Sequence, residues 1–246
     1  MKFYSITHQG RRKYMEDEIF YINENNFSIS AVFDGHGGGE CSKFLKTYFV
    51  PLFLNLIKKQ KMSIKKSLQI SIEKIHCFII KYNITTSGST CNILVIDYSN
   101  QKYYIANVGD SRTIFISKQN TISQITQDHK PNLLKEYRLI CSKGGYVENN
   151  RVNGQLSMSR AIGDCEIAQY LCSKPDIYEG SLNNCWFFVQ ASDGLFEKMS
   201  NYEIGYFIIK HIQQKYTYPE ILKKLVNYSL NIKYSNDNIS IILILI

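Results

Sequence analysis

Two helix-like pairs, one early and one late, are set among short β-like runs, and any fold for this chain must house both pairs. In the first pair, Cys41, Phe44, Leu45, Tyr48, Phe49, Leu52, Phe53 and Leu56 recur at the i, i+3, i+4, i+7 spacing of one helix face, with Pro51 expected to break or kink it. A second helix follows Ser63 as N-cap and sets Leu68, Ile72, Ile75, Ile79 and Tyr82 on one side. The late pair opens on two capping boxes, Ser200-Asn201-Tyr202-Glu203 and Thr217-Tyr218-Pro219-Glu220. Strands are expected over residues 4–7, 19–22, 27–33, 90–97, 102–108, 113–117, 122–126, 186–191 and 239–246. A short helix should start at Pro131 and stop at Gly144-Gly145, with irregular structure from there to about Glu179. A sheet-on-sheet core with helices outside accommodates both pairs. No linker or repeat divides the chain, so residues 1–246 read as one domain.

Composition narrows the class. Hydrophobic residues make up 44% and charged residues 20%, ordinary for a folded soluble domain. Lysine and arginine exceed the acids by 29 to 21. The basic residues are scattered, and the densest group, Lys58, Lys59, Lys61, Lys65 and Lys66, reads as a solvated helix face and loop. No nucleic-acid or membrane partner is expected. The seven cysteines form no CxxC pair and suit a reduced intracellular protein; Cys41, Cys77 and Cys91 read as core.

The acids carry the chemical signal. Asp34, Asp193 and Asp110 follow strand-like runs, Asp237 precedes the last one, and Glu16 and Asp17 precede another. If those strand ends meet, they form an all-oxygen site suited to magnesium or manganese more than to zinc. Each Asp-Gly alone is explained by turn chemistry. The Gly35-His36-Gly37-Gly38-Gly39 string lacks the Gly-x-Ser-x-Gly elbow an esterase needs, and no phosphate-binding loop or HExxH is present. His8, His76 and His211 read as structural; His36 stands apart beside a candidate ligand in a glycine-rich turn.

Taken in order, these strings resemble the metal-dependent protein phosphatases of type 2C. The matching segments are Arg12-x-x-Met15-Glu16-Asp17, Asp34-Gly35-His36-Gly37-Gly38, Ser87-Gly88-Ser89-Thr90, Asn107-Val108-Gly109-Asp110-Ser111-Arg112, Thr126-Gln127-Asp128-His129-Lys130-Pro131, Arg151-Val152-Asn153-Gly154 through Ser159-Arg160-Ala161-Ile162-Gly163-Asp164, Ser192-Asp193-Gly194 and Asp237-Asn238-Ile239-Ser240. They span almost the whole chain.

The resemblance implies an α+β fold, a four-layer α-β-β-α sandwich of two mainly antiparallel sheets flanked by helix pairs. It implies a hydrolase acting on phosphoserine and phosphothreonine in proteins, with a hydroxide bridging two magnesium or manganese ions and a third ion in some members. Carried over residue by residue, Asp34 bridges the two metals, Asp193 and Asp237 complete one site, and Glu16 with the Gly35 carbonyl completes the other. Asp17 holds metal-bound waters, Arg12 binds the substrate phosphate, and His36 protonates the leaving oxygen. Asp110 lies at the third-metal position, where Glu197 replaces the family's usual Asp; Phe196 replaces its usual Trp. The segment 132–145 matches the family's flap and keeps Glu136 and Arg138. Phosphoprotein substrates, a monomeric state and a cytoplasmic or nuclear location are the corresponding expectations. The retained ligands and Arg12 favour an active enzyme over a binding scaffold.

Overall fold

The computed structural model describes residues 1–246. Strands β1 (Lys2–His8), β2 (Glu18–Asn23), β3 (Phe27–Phe33) and β4 (Gly35–His36) lead into helices α1 (Glu40–Lys58) and α2 (Ile64–Tyr82). Next come β5 (Gly88–Ser89), β6 (Cys91–Asp97), β7 (Lys102–Val108), β8 (Arg112–Ser117), β9 (Ile122–Gln124) and α3 (Leu134–Ser142). The chain continues through β10 (Val147–Glu148), β11 (Arg151–Val152), β12 (Ile162–Gly163), β13 (Asp176–Ser181), β14 (Cys185–Ala191), α4 (Asp193–Phe196), α5 (Asn201–Gln213), α6 (Tyr218–Asn231) and β15 (Ile239–Leu245).

Two antiparallel sheets face each other, one ordered β1-β15-β14-β8-β9 and the other β13-β7-β6-β3-β2. The two-residue period of the strands explains the layers. In β6, Ile93 and Val95 pack under α1 and α2, whereas Leu94 and Ile96 face the partner sheet. In β15, Ile239, Ile241 and Leu243 pack under α5 and α6, whereas Ile242 and Ile244 meet the second sheet. Both faces are therefore covered, which is why these strands read as continuous apolar runs. The result is the expected α-β-β-α sandwich.

The caps act as anticipated. Ser63 accepts from the Lys66 N–H at 3.4 Å, and Ser200 and Glu203 form a reciprocal capping box. Helix α1 is not interrupted at Pro51. That residue is exposed, so water can meet the carbonyl that lacks an N–H partner. Helix α3 begins at Leu134, not at Pro131, because Pro131 lies buried in a turn closed by the Leu133 N–H to the Lys130 carbonyl at 3.1 Å. Strand β13 replaces expected irregular structure. It is an edge strand, half exposed, and its Gly180 leaves room for the Tyr103 ring, so no apolar run betrays it. Cys77 and Tyr82 are exposed on α2, outside the core their spacing suggested. All seven cysteines are free, and no helix is long and apolar enough to cross a membrane.

Phe188 sits between the sheets, edge-on to Tyr103 at 5.1 Å and to Phe115 at 5.5 Å. Replacing Phe188 by Ala should cost about 3–5 kcal/mol of stability. Urea denaturation should show a lowered midpoint with an unchanged slope.

Candidate active site

Strand register brings the acids to one end of the sandwich. Glu18 at the start of β2 pairs with Phe33 at the end of β3, which sets Glu16 and Asp17 beside Asp34. Ala191 at the end of β14 pairs with Ile241 near the start of β15, which sets Asp193 beside Asp237. The Asp193 N–H approaches Asp34 Oδ2 at 3.4 Å and joins the two sheets there. Asp110 lies in the tight connection from β7 to β8.

A buried polar network aligns the sheets behind this edge. Ser30 Oγ donates to Gln190 Oε1 at 2.8 Å, and Gln190 Nε2 donates to Asn92 Oδ1 at 2.7 Å. Thr113 Oγ1 donates to the same Asn92 oxygen at 2.7 Å, while Asn92 Nδ2 donates to Asn107 at 2.7 Å. Asn238 ties in the first loop: its Nδ2 donates to the Gln9 and Tyr14 carbonyls, and its Oδ1 accepts from the Glu16 N–H at 2.8 Å.

Each sequence-derived residue has a definite place. Glu16 Oε1 accepts from the Gly38 N–H at 2.7 Å. Gly35 packs against the Glu16 backbone so closely that any Cβ would collide with its carbonyl. Asp17 is buried; its Oδ2 accepts from Ser192 Oγ at 2.8 Å, and its Oδ1 has no partner. Arg12, half exposed, donates to Asp237 Oδ2 at 2.6 Å. His36 Nε2 contacts Asp164 Oδ1 at 2.8 Å and Oδ2 at 2.9 Å. Asp110 is fully buried, with Lys130 Nζ at 2.5 Å from Oδ2 and Oδ1 unpartnered. Glu197 is exposed at the rim of a cavity of about 320 Å³ lined also by Arg112, Asp128, Lys130, Asp193 and Phe196. Phe196 lies beneath the Arg112 guanidinium at 4.6 Å. Larger in volume, at about 500 Å³, is an apolar groove between α1 and α2, but it lies away from the acids and Lys74 is the one charged residue lining it.

The electrostatics follow from burial among like charges. Desolvation, then the neighbouring Asp17, Asp193, Asp110 and Asp237, pushes the Asp34 carboxyl well above its ordinary range. Desolvation, then Asp110, Glu197 and Asp237, does the same to Asp193. Asp17 rises to about 6, mainly through burial. For His36, burial opposes the charged form, yet Asp164 outweighs it and the imidazole is raised.

These facts test the site against divalent cations. No three His, Cys, Asp or Glu side chains form a ready-made cage. Two of the acids instead accept from Arg12 and Lys130. The donor set is nevertheless all oxygen, and Asp17 and Asp110 each keep a buried oxygen without a partner. Hard divalent cations suit that set.

Sequence reasoning left several contributors without a role. Lys130 and Asp164 stood inside recognised strings, but nothing in one dimension pairs them with Asp110 and His36. Arg160 likewise stands in the Ser159–Asp164 string with no role that the sequence assigns. It donates to Glu136 Oε2 at 2.9 Å and to Asp176 Oδ1 at 2.9 Å, and so clamps α3 to β13. Burial would raise the Glu136 carboxyl; hydrogen bonds from Arg160 and Ser159 lower it instead.

Comparison with known proteins agrees with this geometry. Residues 1–239 match the family model described as Protein phosphatase 2C. The chain is 33% identical over 243 residues to Probable protein phosphatase 2C 62 of Oryza sativa subsp. japonica, covering 94% of this chain and 80% of that one. It is 31% identical over 242 residues to Protein phosphatase 2C 1 of Paramecium tetraurelia, covering 88% and 80%. In structure it resembles a phosphatase from a pathogenic strain of Toxoplasma gondii, with a TM-score of 0.87 at 23% identity, covering 99% of this chain and 92% of that one. A sex-determining protein of C. elegans gives a TM-score of 0.90 at 24% identity, covering 99% of this chain and 64% of that one. The chain belongs to the protein phosphatase 2C family of metal-dependent serine/threonine protein phosphatases.

Proposed function

We propose that residues 1–246 act as one catalytic domain that hydrolyses phosphoserine and phosphothreonine in proteins. The observation that carries this reading is the convergence of Asp34, Asp193, Asp17 and Asp110 at one sandwich edge, with carboxyl oxygens left unpartnered in Asp17 and Asp110. Asp34, Asp193 and Asp237 would hold one magnesium or manganese ion, and Asp34, Glu16 and the Gly35 carbonyl the other. Asp110 with Glu197 is the candidate for a third. Divalent cations held by these residues would supply Lewis acidity, which makes a nearby water a better nucleophile near neutral pH.

The chain's own groups do the rest. Asp17 accepts hydrogen bonds through its free oxygen and so orients water beside the cations. Arg12 offers a planar fork of donors to the phosphoryl oxygens, which a lysine does not reproduce. Its side chain is half exposed, so it can reach a substrate. His36 gives a proton to the departing oxygen, an alkoxide that leaves poorly unaided. The substrates are phosphoproteins, and no free thiol is required.

Hydrolysis of a phosphothreonine peptide should require magnesium or manganese and stop in EDTA. Asp193→Asn should lower turnover at least about 100-fold in a protein that still folds. A folded wild-type protein inactive with either metal would point to a binding scaffold.

Stability should also report the cations. Asp17, Asp34 and Asp193 bind protons more tightly folded than unfolded. Above the ordinary aspartate value of 3.8, the unfolded chain releases protons that the folded chain retains, so stability falls as pH rises, through about 6 for Asp17. Thermal melts in EDTA should therefore show a falling midpoint between about pH 4 and pH 7 from these groups. Manganese should raise the midpoint more at the upper end, where the carboxylates are ionised. A manganese shift independent of pH would count against these ligands.

A further inference from the structure

The chemistry at the acids leaves the groove between α1 and α2 without a role. Its walls are the outer stripes of the two helices. Phe44, Tyr48 and Leu52 recur at every fourth residue of α1, and Ile75 and Phe78 face them from α2. Phe44 and Leu52 also pack on the core beneath, which fixes the floor. The rings run as one row: Tyr48 to Phe44 at 4.4 Å, Phe44 to Phe78 at 6.0 Å, and Phe78 to Tyr82 at 4.7 Å. Yet Tyr48, Phe78 and Tyr82 are exposed by 52%, 46% and 55%. A contiguous apolar patch of this kind marks a surface that something covers.

Two features select the occupant. The first is backbone chemistry. Both walls are helices, whose N–H and C=O groups bond within each helix, so the groove offers no sheet edge. An extended peptide laid there would leave its own backbone unpaired, whereas a helix brings its hydrogen bonds with it. Phe44 to Leu52 covers about 12 Å of α1, and Lys74 to Tyr82 about 12 Å of α2, which is room for about two turns.

The second feature is charge. Lys74 lines the groove, and an adjoining depression shares Lys74 and Phe78 and adds Lys81 and Glu73. Glu73 is engaged by Gln69 Nε2 at 2.9 Å. Lys46, Lys58 and Lys65 of the same helices are paired with Glu18, Glu24 and Glu179, but Lys74 and Lys81 have no carboxylate partner. A second copy of this chain would bring more positive charge, because each copy carries a net +8. A flat bilayer surface would not fill a concave cleft.

We propose that the α1–α2 groove docks an acidic amphipathic helix of a partner protein. Large apolar side chains at i, i+3 or i+4 and i+7 of that helix sit among Phe44, Leu52 and Phe78, and its carboxylates meet Lys74 and Lys81. A helix seated there does not fill the site at the acids.

The test is fluorescence anisotropy on the full chain. The probe is a fluorescein-labelled peptide of about four turns, with Leu and Phe on one face and Glu along both borders. Wild type should bind it with a Kd of about 1–100 μM. Lys74→Glu should weaken binding about 10-fold, and should prefer a second peptide in which Lys replaces each Glu. Tyr48→Ala should weaken both complexes about 10-fold. Both positions are exposed, and circular dichroism checks that the variants fold. A proline in the middle of the peptide should abolish binding. The proposal is overturned if wild type leaves the Glu-bordered peptide unbound at about 1 mM, or binds the Lys-bordered or proline-broken peptide equally well. It is overturned too if neither variant changes the affinity. Sedimentation that shows a dimer dissolved by Tyr48→Ala would give the groove to a second copy instead. Phosphatidylserine vesicles that retain wild type but not Tyr48→Ala would give it to a membrane, and either result rejects the helical partner.

Discussion

Negative charge gathered in a poorly solvated edge constrains everything around it. Isolated carboxylates there would neutralise themselves by taking up protons, and the raised Asp34 and Asp193 show that pressure. The protein answers with two cationic arms of different character. Lys130 reaches Asp110 from a buried turn, and its own charge is reinforced despite desolvation. Arg12 reaches Asp237 from an exposed loop. The first arm is part of the scaffold; the second is free to be exchanged for another partner.

Such a site needs walls that do not shift. The walls come from hydrogen bonds between the sheets, because apolar packing alone lets sheets slide. Gln190 reaches across from β14 to Ser30 on β3 and Asn92 on β6, and Thr113 reaches Asn92 from β8. Every partner in that chain is satisfied, the condition under which a buried polar network specifies one arrangement. The Arg160 clamp does for α3 what Gln190 does for the sheets. It holds α3 against β13 while the exposed residues of α3, Tyr137 and Arg138 among them, face solvent.

Much of this was legible in one dimension. Helix starts with strong caps, such as the one after Ser63, were placed to the residue. Strands covered on both faces declared themselves through unbroken apolar runs. What stayed hidden lacked periodicity. Strand β13 is half wet, and the turn at Pro131 mimics a helix start because proline favours both. The acids were legible as a set, since all sit at strand ends. Their counterions were not: Lys130 and Asp110 are 20 residues apart, and only the fold makes them neighbours. His36 and Asp164 lie 128 positions apart, one in and the other just after a two-residue strand too short to leave any pattern.

The strand order has a consequence for synthesis. β15 is no edge strand; it lies between β1 and β14. Until it emerges, β1 and β14 have no bond to each other, and Asp237 and Asn238 are missing from the edge they complete. A ribosome-bound chain can assemble the β7-β6-β3-β2 part of the second sheet early. It cannot close the first sheet until residues 239–245 have appeared. A chain cut short upstream of β15 therefore lacks both the strand that joins β1 to β14 and the Asp237 carboxylate beside it.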